Sequence, residues 1–250
     1  MMSTPFHLDS KTILITGASS GIGRQVAISC SAMGAKVVIN GRDEKRLNET
    51  YSLLKGVGHL KFICDLLDER QRNDLVAALP AINGVVHSAG VVMPVPIKFI
   101  AEKHLRYVMG VNFESAVMLV SGLLKNKKLN DNSSLVFFSS ISVNYPYAGG
   151  AVYTASKGAI EAYSKNLALE IIPKKMRSNV IVPAMVKTPL YEETKNQSMY
   201  RSPEEYESKY PLGLGLPEDV ANATVYLLSD ASRWVTGINL ILDGGFSIVK

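Results

Sequence analysis

The segment Lys11-Thr12-Ile13-Leu14-Ile15-Thr16-Gly17-Ala18-Ser19-Ser20-Gly21-Ile22-Gly23 passes from a β-rich apolar run into a glycine turn. A helical pattern follows through Val26, Ala27, Cys30 and Met33 and stops at Gly34. In a strand, glycine turn and helix of this kind, glycines let the backbone approach a ligand and the helix N-terminus offers free N–H groups to an anion. The spacing is G-x-x-x-G-x-G rather than the commoner G-x-G-x-x-G, and a bare turn is the competing reading.

The same alternation runs along the chain. Lys36 to Ile39, Leu60 to Cys64, Gly84 to His87, Ser134 to Phe138, Ser178 to Val182 and Gly237 to Leu242 read as further strands. Between them lie a polar helix that Asp43 can cap and a charged helix from Asp68 to Ala78. Two helical stretches, Ala101 to Val111 and Phe113 to Leu124, come before a long helix through Tyr153 that Pro173 ends, and a last helix spans Pro217 to Leu228. Strands alternating with helices predict one parallel sheet with right-handed crossovers, whose ligands bind beyond the carboxyl ends of the strands. Gly17, Asp65 and Ser88-Ala89-Gly90 all fall there. The segment Thr188 to Gly215 lacks apolar periodicity and reads either as a lid over the site or as plain surface loop.

Tyr153-Thr154-Ala155-Ser156-Lys157 places a phenol and an ammonium one helical turn apart on a shared face. A tyrosine hydroxyl is a poor proton shuttle near neutrality unless a fixed positive charge stabilises its phenolate, and Lys157 can supply one. Alone, the pair is equally what an exposed helix face carries.

Composition narrows the classes. The 250 residues are 47% hydrophobic and 20% charged, as in a globular protein with a sizeable core. Cys30 and Cys64 lack metal-ligand spacing, so neither a disulfide framework nor a metal site is expected. The net charge of +5 is scattered, and the densest run, Lys125-Asn126-Lys127-Lys128, closes a helix where cations are favoured, so no nucleic-acid partner is expected. The first nine residues have no leader pattern and no long apolar run appears later, so the expectation is a cytoplasmic protein without a membrane span.

Taken together, Thr16 to Gly23, Asp65, Asn112, Ser140, Tyr153 with Lys157, Pro183 with Thr188, and Asp243-Gly244-Gly245 occur in the order of the short-chain dehydrogenase/reductase family, which the chain resembles along essentially its whole length. The resemblance implies a single Rossmann-fold domain of about seven parallel strands, a nicotinamide cofactor, and hydride transfer between an alcohol and a carbonyl. It selects Ser140 over Ser139 and makes Asn112, Ser140, Tyr153 and Lys157 the catalytic set. Ser140 would bind the substrate oxygen and Tyr153 would pass the proton. Lys157 would lower the Tyr153 pKa and bind the nicotinamide ribose, and Asn112 would hold a water that links Lys157 to solvent. Gly17, Ser19, Ser20, Gly21, Ile22, Gly23, Arg42, Asp65, Leu66, Ser88, Ala89, Gly90, Pro183, Val186 and Thr188 would join Tyr153 and Lys157 around the cofactor. Residues 188–215 would be the candidate substrate lid.

Two motifs depart from the family pattern. His87-Ser88-Ala89-Gly90 stands where Asn-Asn-Ala-Gly is usual, and Pro183-Ala184 replaces Pro-Gly. His87 reads as a strand-end structural residue, and the Ala184 methyl implies a small adjustment. At the end of the second strand, where an acid would bind the ribose hydroxyls of NAD, the chain has Gly41 followed by Arg42, which points to NADP(H). The expected protein is an NADP(H)-dependent carbonyl reductase, with a 3-oxoacyl thioester as the leading substrate and a sugar or other small ketone as the alternative class. Apolar residues spread around the Phe113 and Tyr153 helices imply a homodimer or homotetramer. A nucleotide-bound regulatory or scaffold protein without turnover is the reading of another class.

Overall fold

The computed structural model describes residues 4–195 and 207–249. Seven strands, β1 (Thr12–Thr16), β2 (Lys36–Gly41), β3 (Leu60–Ile63), β4 (Ile82–His87), β5 (Leu129–Phe138), β6 (Arg177–Pro183) and β7 (Asn239–Leu242), form one sheet in the order β3-β2-β1-β4-β5-β6-β7. Every pairing is parallel. The order reverses between β1 and β4, and a crevice opens there beyond the strands' carboxyl ends.

Successive side chains of a strand point to opposite faces, and both faces of this sheet are covered. Leu14, Leu135 and Phe137 pack with Leu75 of α3 (Glu69–Ala78), Leu119 of α5 (Ser115–Lys125) and Ile160 of α6 (Ala151–Ile171). On the other face Ile13, Ile15 and Val136 pack with Val26 of α1 (Gly21–Ala32), Leu47 of α2 (Glu44–Ser52) and Val225 of α8 (Pro217–Leu228). This two-sided burial is why the central strands read as continuous apolar runs. Asp43 and Asp68 cap α2 and α3, their carboxylates accepting the Arg46 and Gln71 N–H groups at 2.9 and 3.0 Å.

Three regions differ from the sequence reading. β5 begins at Leu129, five residues early, and carries Asn132 at φ 64° beside a register shift against β4. The two helices expected around Asn112 form one run in which α4 (Glu102–Met109) joins α5 through a π-helical turn, Gly110–Glu114. That run is long and apolar enough to cross a membrane by length and composition, and half of its apolar window is buried inside the fold. Within 188–215, Pro189–Lys195 forms a short helix, α7, while residues 196–206 of the expected lid lie outside the described residues.

Candidate active site

The glycine turn sets the first half of the site. Gly17 has φ +64°, and a Cβ there would stand 2.6 Å from the Ala89 nitrogen; a Cβ on Gly23 would stand 2.3 Å from the Gly17 carbonyl oxygen. Both contacts are closer than a side chain permits, so α1 can start against the turn only with glycine here. Ser20 is the N-cap of α1 but makes no side-chain cap bond, and the first turn holds no acidic residue, so its N–H groups remain available to an anion.

These elements border a cleft of about 650 Å³. Gly17, Ser19, Ser20, Gly21, Ile22, Gly23, Arg42, Asp65, Leu66, Ser88, Ala89, Gly90 and Thr188 all line it, so most of the expected cofactor residues come together. The Ser19 hydroxyl is buried in the cleft wall without a hydrogen-bond partner. At the far rim the Arg42 guanidinium lies 3.6 Å from the Asp65 carboxylate, and Tyr107 and Asp65 together raise its pKa. A trough with a glycine cradle, an unblocked helix N-terminus, an orphaned hydroxyl and a cation at one end fits a dinucleotide.

A second cavity, of about 550 Å³, continues the first and shares Ile22, Ser88, Gly90, Val91, Thr188 and Leu190 with it. Ser140, Tyr153, Lys157, Pro183 and Val186 line this part. Ser140 and Tyr153 line the cavity together, and Ser140 sits close enough to act on the phenol by lowering its pKa. Ser139 also borders the cavity, but its hydroxyl donates to Glu161 Oε1 at 2.6 Å and to the Lys157 carbonyl at 3.2 Å, on the α6 side. Geometry thus separates two adjacent serines that residue type alone leaves equivalent.

Lys157 is buried, and its Nζ donates to the Phe138 carbonyl at 2.9 Å. Burial lowers its pKa to about 8. The ammonium lies 5.7 Å from the Tyr153 ring centroid, and the phenol is raised above its ordinary range by burial, which outweighs the lowering by Ser140. The expectation that Lys157 depresses the Tyr153 pKa is therefore corrected: the charge is aimed at a carbonyl, and Tyr153 is neutral near pH 7.

Asn112 has a structural role beside the one expected of it. It is buried in the π-helical turn and lines neither cavity. Its Nδ2 donates to the Val91 carbonyl at 3.0 Å and to Ser156 Oγ at 2.9 Å, and its Oδ1 accepts the Val91 N–H at 2.8 Å. The side chain clamps the β4 loop onto α6, using both of its N–H donors in doing so. His87 is buried between the Thr16 hydroxyl at 3.1 Å and the Ser115 hydroxyl at 3.4 Å, and desolvation pushes it down to about 3. A neutral, doubly bonded imidazole is structural, in agreement with the sequence reading. The Ala184 methyl packs against the core, which accounts for its tolerance there.

The sequence reading missed Arg46 on the cleft rim and an aromatic wall of Tyr145, Tyr147, Tyr210 and Phe246 in the second cavity. Position directly after Asp243-Gly244-Gly245 was the available signal for Phe246; the tyrosines sit in loops where sequence gives no direction.

Comparison with known proteins agrees with this geometry. Residues 17–247 match the family described as enoyl-(acyl carrier protein) reductase. A 3-oxoacyl-(acyl-carrier-protein) reductase of Rickettsia felis is 29% identical over 97% of this chain and 99% of its own. A 2,5-dichloro-2,5-cyclohexadiene-1,4-diol dehydrogenase of Sphingobium indicum is 30% identical over 97% of this chain and 98% of its own. Among solved structures, a candidate NAD(P)-dependent gluconate 5-dehydrogenase of Beutenbergia cavernae, with NADP bound at low occupancy, superposes with a TM-score of 0.87 at 26% identity, covering 98% of this chain and all of that one. With a full-length match, the seven-stranded order and a Ser140–Tyr153 pair beside Lys157, the chain belongs to the short-chain dehydrogenase/reductase family of oxidoreductases.

Proposed function

We propose that the protein is an NADP(H)-dependent carbonyl reductase that uses Ser140, Tyr153 and Lys157. The observation that carries the reading is that Ser140, Tyr153 and Lys157 meet in the cavity that continues the dinucleotide-shaped cleft. When bound, the nicotinamide cofactor supplies hydride to a carbonyl carbon or accepts it from an alcohol. Ser140 binds the substrate oxygen and Tyr153, neutral at pH 7, donates the proton that completes reduction. Lys157, its Nζ anchored on the Phe138 carbonyl, keeps a buried positive charge in the same cavity and offers its remaining N–H groups to a ribose. The α1 N-terminus, the glycine turn and Ser19 hold the pyrophosphate end, while Arg42 at the rim receives a 2′-phosphate.

NADP in the Beutenbergia neighbour supports the cofactor reading, and the names of the relatives support alcohol and carbonyl chemistry. A 3-oxoacyl thioester is one substrate class among those names; a ring diol is another. The test is loss of NADPH absorbance with a ketone panel, beside NADPH binding followed by fluorescence. Carbonyl-dependent oxidation of NADPH is expected. Tight NADPH binding with no turnover of any ketone would favour the scaffold reading instead.

A further inference from the structure

The second cavity is walled by side chains far apart in sequence: Tyr145 and Tyr147 from the loop between β5 and α6, Met185 from the segment after β6, and Tyr210 and Phe246 from the C-terminal part of the chain. Phe246 joins these walls. Its ring stacks on Tyr210 with centroids 5.0 Å apart and meets Tyr145 edge-on at 5.4 Å. The Tyr145 hydroxyl donates to the Ser247 carbonyl at 3.2 Å.

Asp243-Gly244-Gly245 puts the ring there. Gly244 and Gly245 turn the chain at φ +58° and +89°. The Asp243 carboxylate accepts the Gly245 and Ser247 N–H groups at 3.0 and 2.9 Å. The Leu212 N–H donates to the Gly244 carbonyl at 3.1 Å, tying the turn to the segment that carries Tyr210.

Charge is as informative as shape. Among the described residues that line this cavity, Lys157 alone carries a formal charge near pH 7, and its Nζ already donates to Phe138. A carboxylate or phosphate entering here would lose its hydration without a dedicated cation to pair with, which is costly. Aromatic rings instead offer broad apolar faces and edges to a flat partner, and the volume of about 550 Å³ is that of a small-ligand site.

We propose that this cavity takes an uncharged, mainly apolar ring ketone, or the matching secondary alcohol, and that Phe246 sets the preference. This rests on the carbonyl-reductase reading of the same site. The test compares kcat/KM of the NADPH-loaded protein for 2-tetralone, acetoacetyl-CoA and 5-ketogluconate, with NADPH affinity measured separately by fluorescence. The ring ketone is expected to lead by about tenfold or more, and Phe246→Ala to cut its lead by about tenfold, mainly through KM, with NADPH affinity unchanged. Phe246→Leu, which keeps the apolar bulk but removes the ring, carries the test if the alanine variant does not fold; it should lower the lead by about threefold. Turnover led by the charged ketone or the thioester, or a preference that neither variant changes, overturns the substrate proposal and leaves the reductase reading standing. NADPH binding with no turnover of any of the three overturns both.

Discussion

The Ser139 hydroxyl donates to the Glu161 carboxylate at 2.6 Å, and Asn239 Nδ2 from β7 donates to the other carboxylate oxygen at 2.7 Å. One side chain of α6, a turn beyond Lys157, thereby joins the ends of β5 and β7 to the helix that carries Tyr153. Ser140, the next residue, lines the cavity beside Tyr153 instead. The two serines should respond differently to truncation. Ser139→Ala leaves a partly buried carboxylate short of a donor and should cost about 1 to 3 kcal/mol of stability with kcat reduced little. Ser140→Ala should fold normally and lose turnover by about 100- to 1,000-fold, the range for removing one donor to a developing oxyanion. Urea unfolding and steady-state kinetics on both variants check this; equal kinetic losses would show that Ser139 also acts on the substrate.

Tyr153→Phe keeps the ring and deletes the hydroxyl proposed as proton donor. Turnover should fall by about 100- to 10,000-fold while NADPH affinity stays within a factor of about two. A variant that retains more than about a tenth of wild-type kcat, outside that range, would remove Tyr153 from the chemistry.

Elements whose signals are local were legible in the sequence. α8 begins at Pro217 as read, because proline is favoured in the first helical turn and the apolar stripe follows at once. The Lys11 to Gly23 reading placed β1 to within a residue, and α1 follows it directly, starting at Gly21 inside the glycine segment, since glycine spacing and helix periodicity agree there. Features that depend on distant partners were not legible. The start of β5 is polar, Asn130 to Ser133, and becomes strand only by pairing with Ile82. The π-helical turn holds Asn112, whose side chain reaches Val91 and Ser156, contacts with no local pattern. The aromatic wall assembles residues 145, 210 and 246, which meet only in the fold.

Lys157 gives a pH dependence of stability whose sign is fixed. Burial lowers its pKa from 10.5 to about 8, so between those values the unfolded chain holds a proton that the folded chain has released. Stability from this group therefore rises with pH across that window, and below pH 8 the full cost of the buried ammonium is present. At about 1.4 kcal/mol per pKa unit the cost is on the order of 3 kcal/mol, less what the Phe138 bond returns. In the cofactor-free protein Lys157→Met should be about 1 to 3 kcal/mol more stable than wild type at pH 7, with the difference shrinking by pH 10. Urea unfolding at both values decides it; a difference that grows with pH reverses the sign and defeats the assignment.

Leu105 on α4, Met118 on α5 and Leu169 on α6 are 47, 45 and 72% exposed although all three are large and apolar. Helices that cover a sheet with one face and keep apolar groups on another are suited to packing against a second copy. Light scattering at micromolar concentration should give at least twice the 27.2 kDa chain mass, and Met118→Glu should lower it. A wild-type monomer at that concentration would exclude the interface.

The proposed preference for NADP(H) places cofactor choice at the end of β2. Gly41 leaves no acid to repel a 2′-phosphate, and Arg42 sits half-exposed on the cleft rim, steadied by Asp65 at 3.6 Å and by Tyr107. A guanidinium held there binds a phosphate with charge-assisted hydrogen bonds worth about 1.5 to 3 kcal/mol. Arg42→Ala should therefore weaken NADPH by about 10- to 100-fold and NADH little. Introducing an acid at position 41 is less simple than the sequence suggests, because a Cβ on Gly41 would stand 2.0 Å from Ser19 Oγ. Ser19 must rotate or be removed, so Gly41→Asp alone should weaken both cofactors, whereas Gly41→Asp with Ser19→Gly should recover NADH and still repel NADPH. Dissociation constants for both cofactors, measured by fluorescence in wild type and the three variants, provide the check. A wild type that already prefers NADH, or an unchanged ratio in Arg42→Ala, would show that this arginine does not select the cofactor.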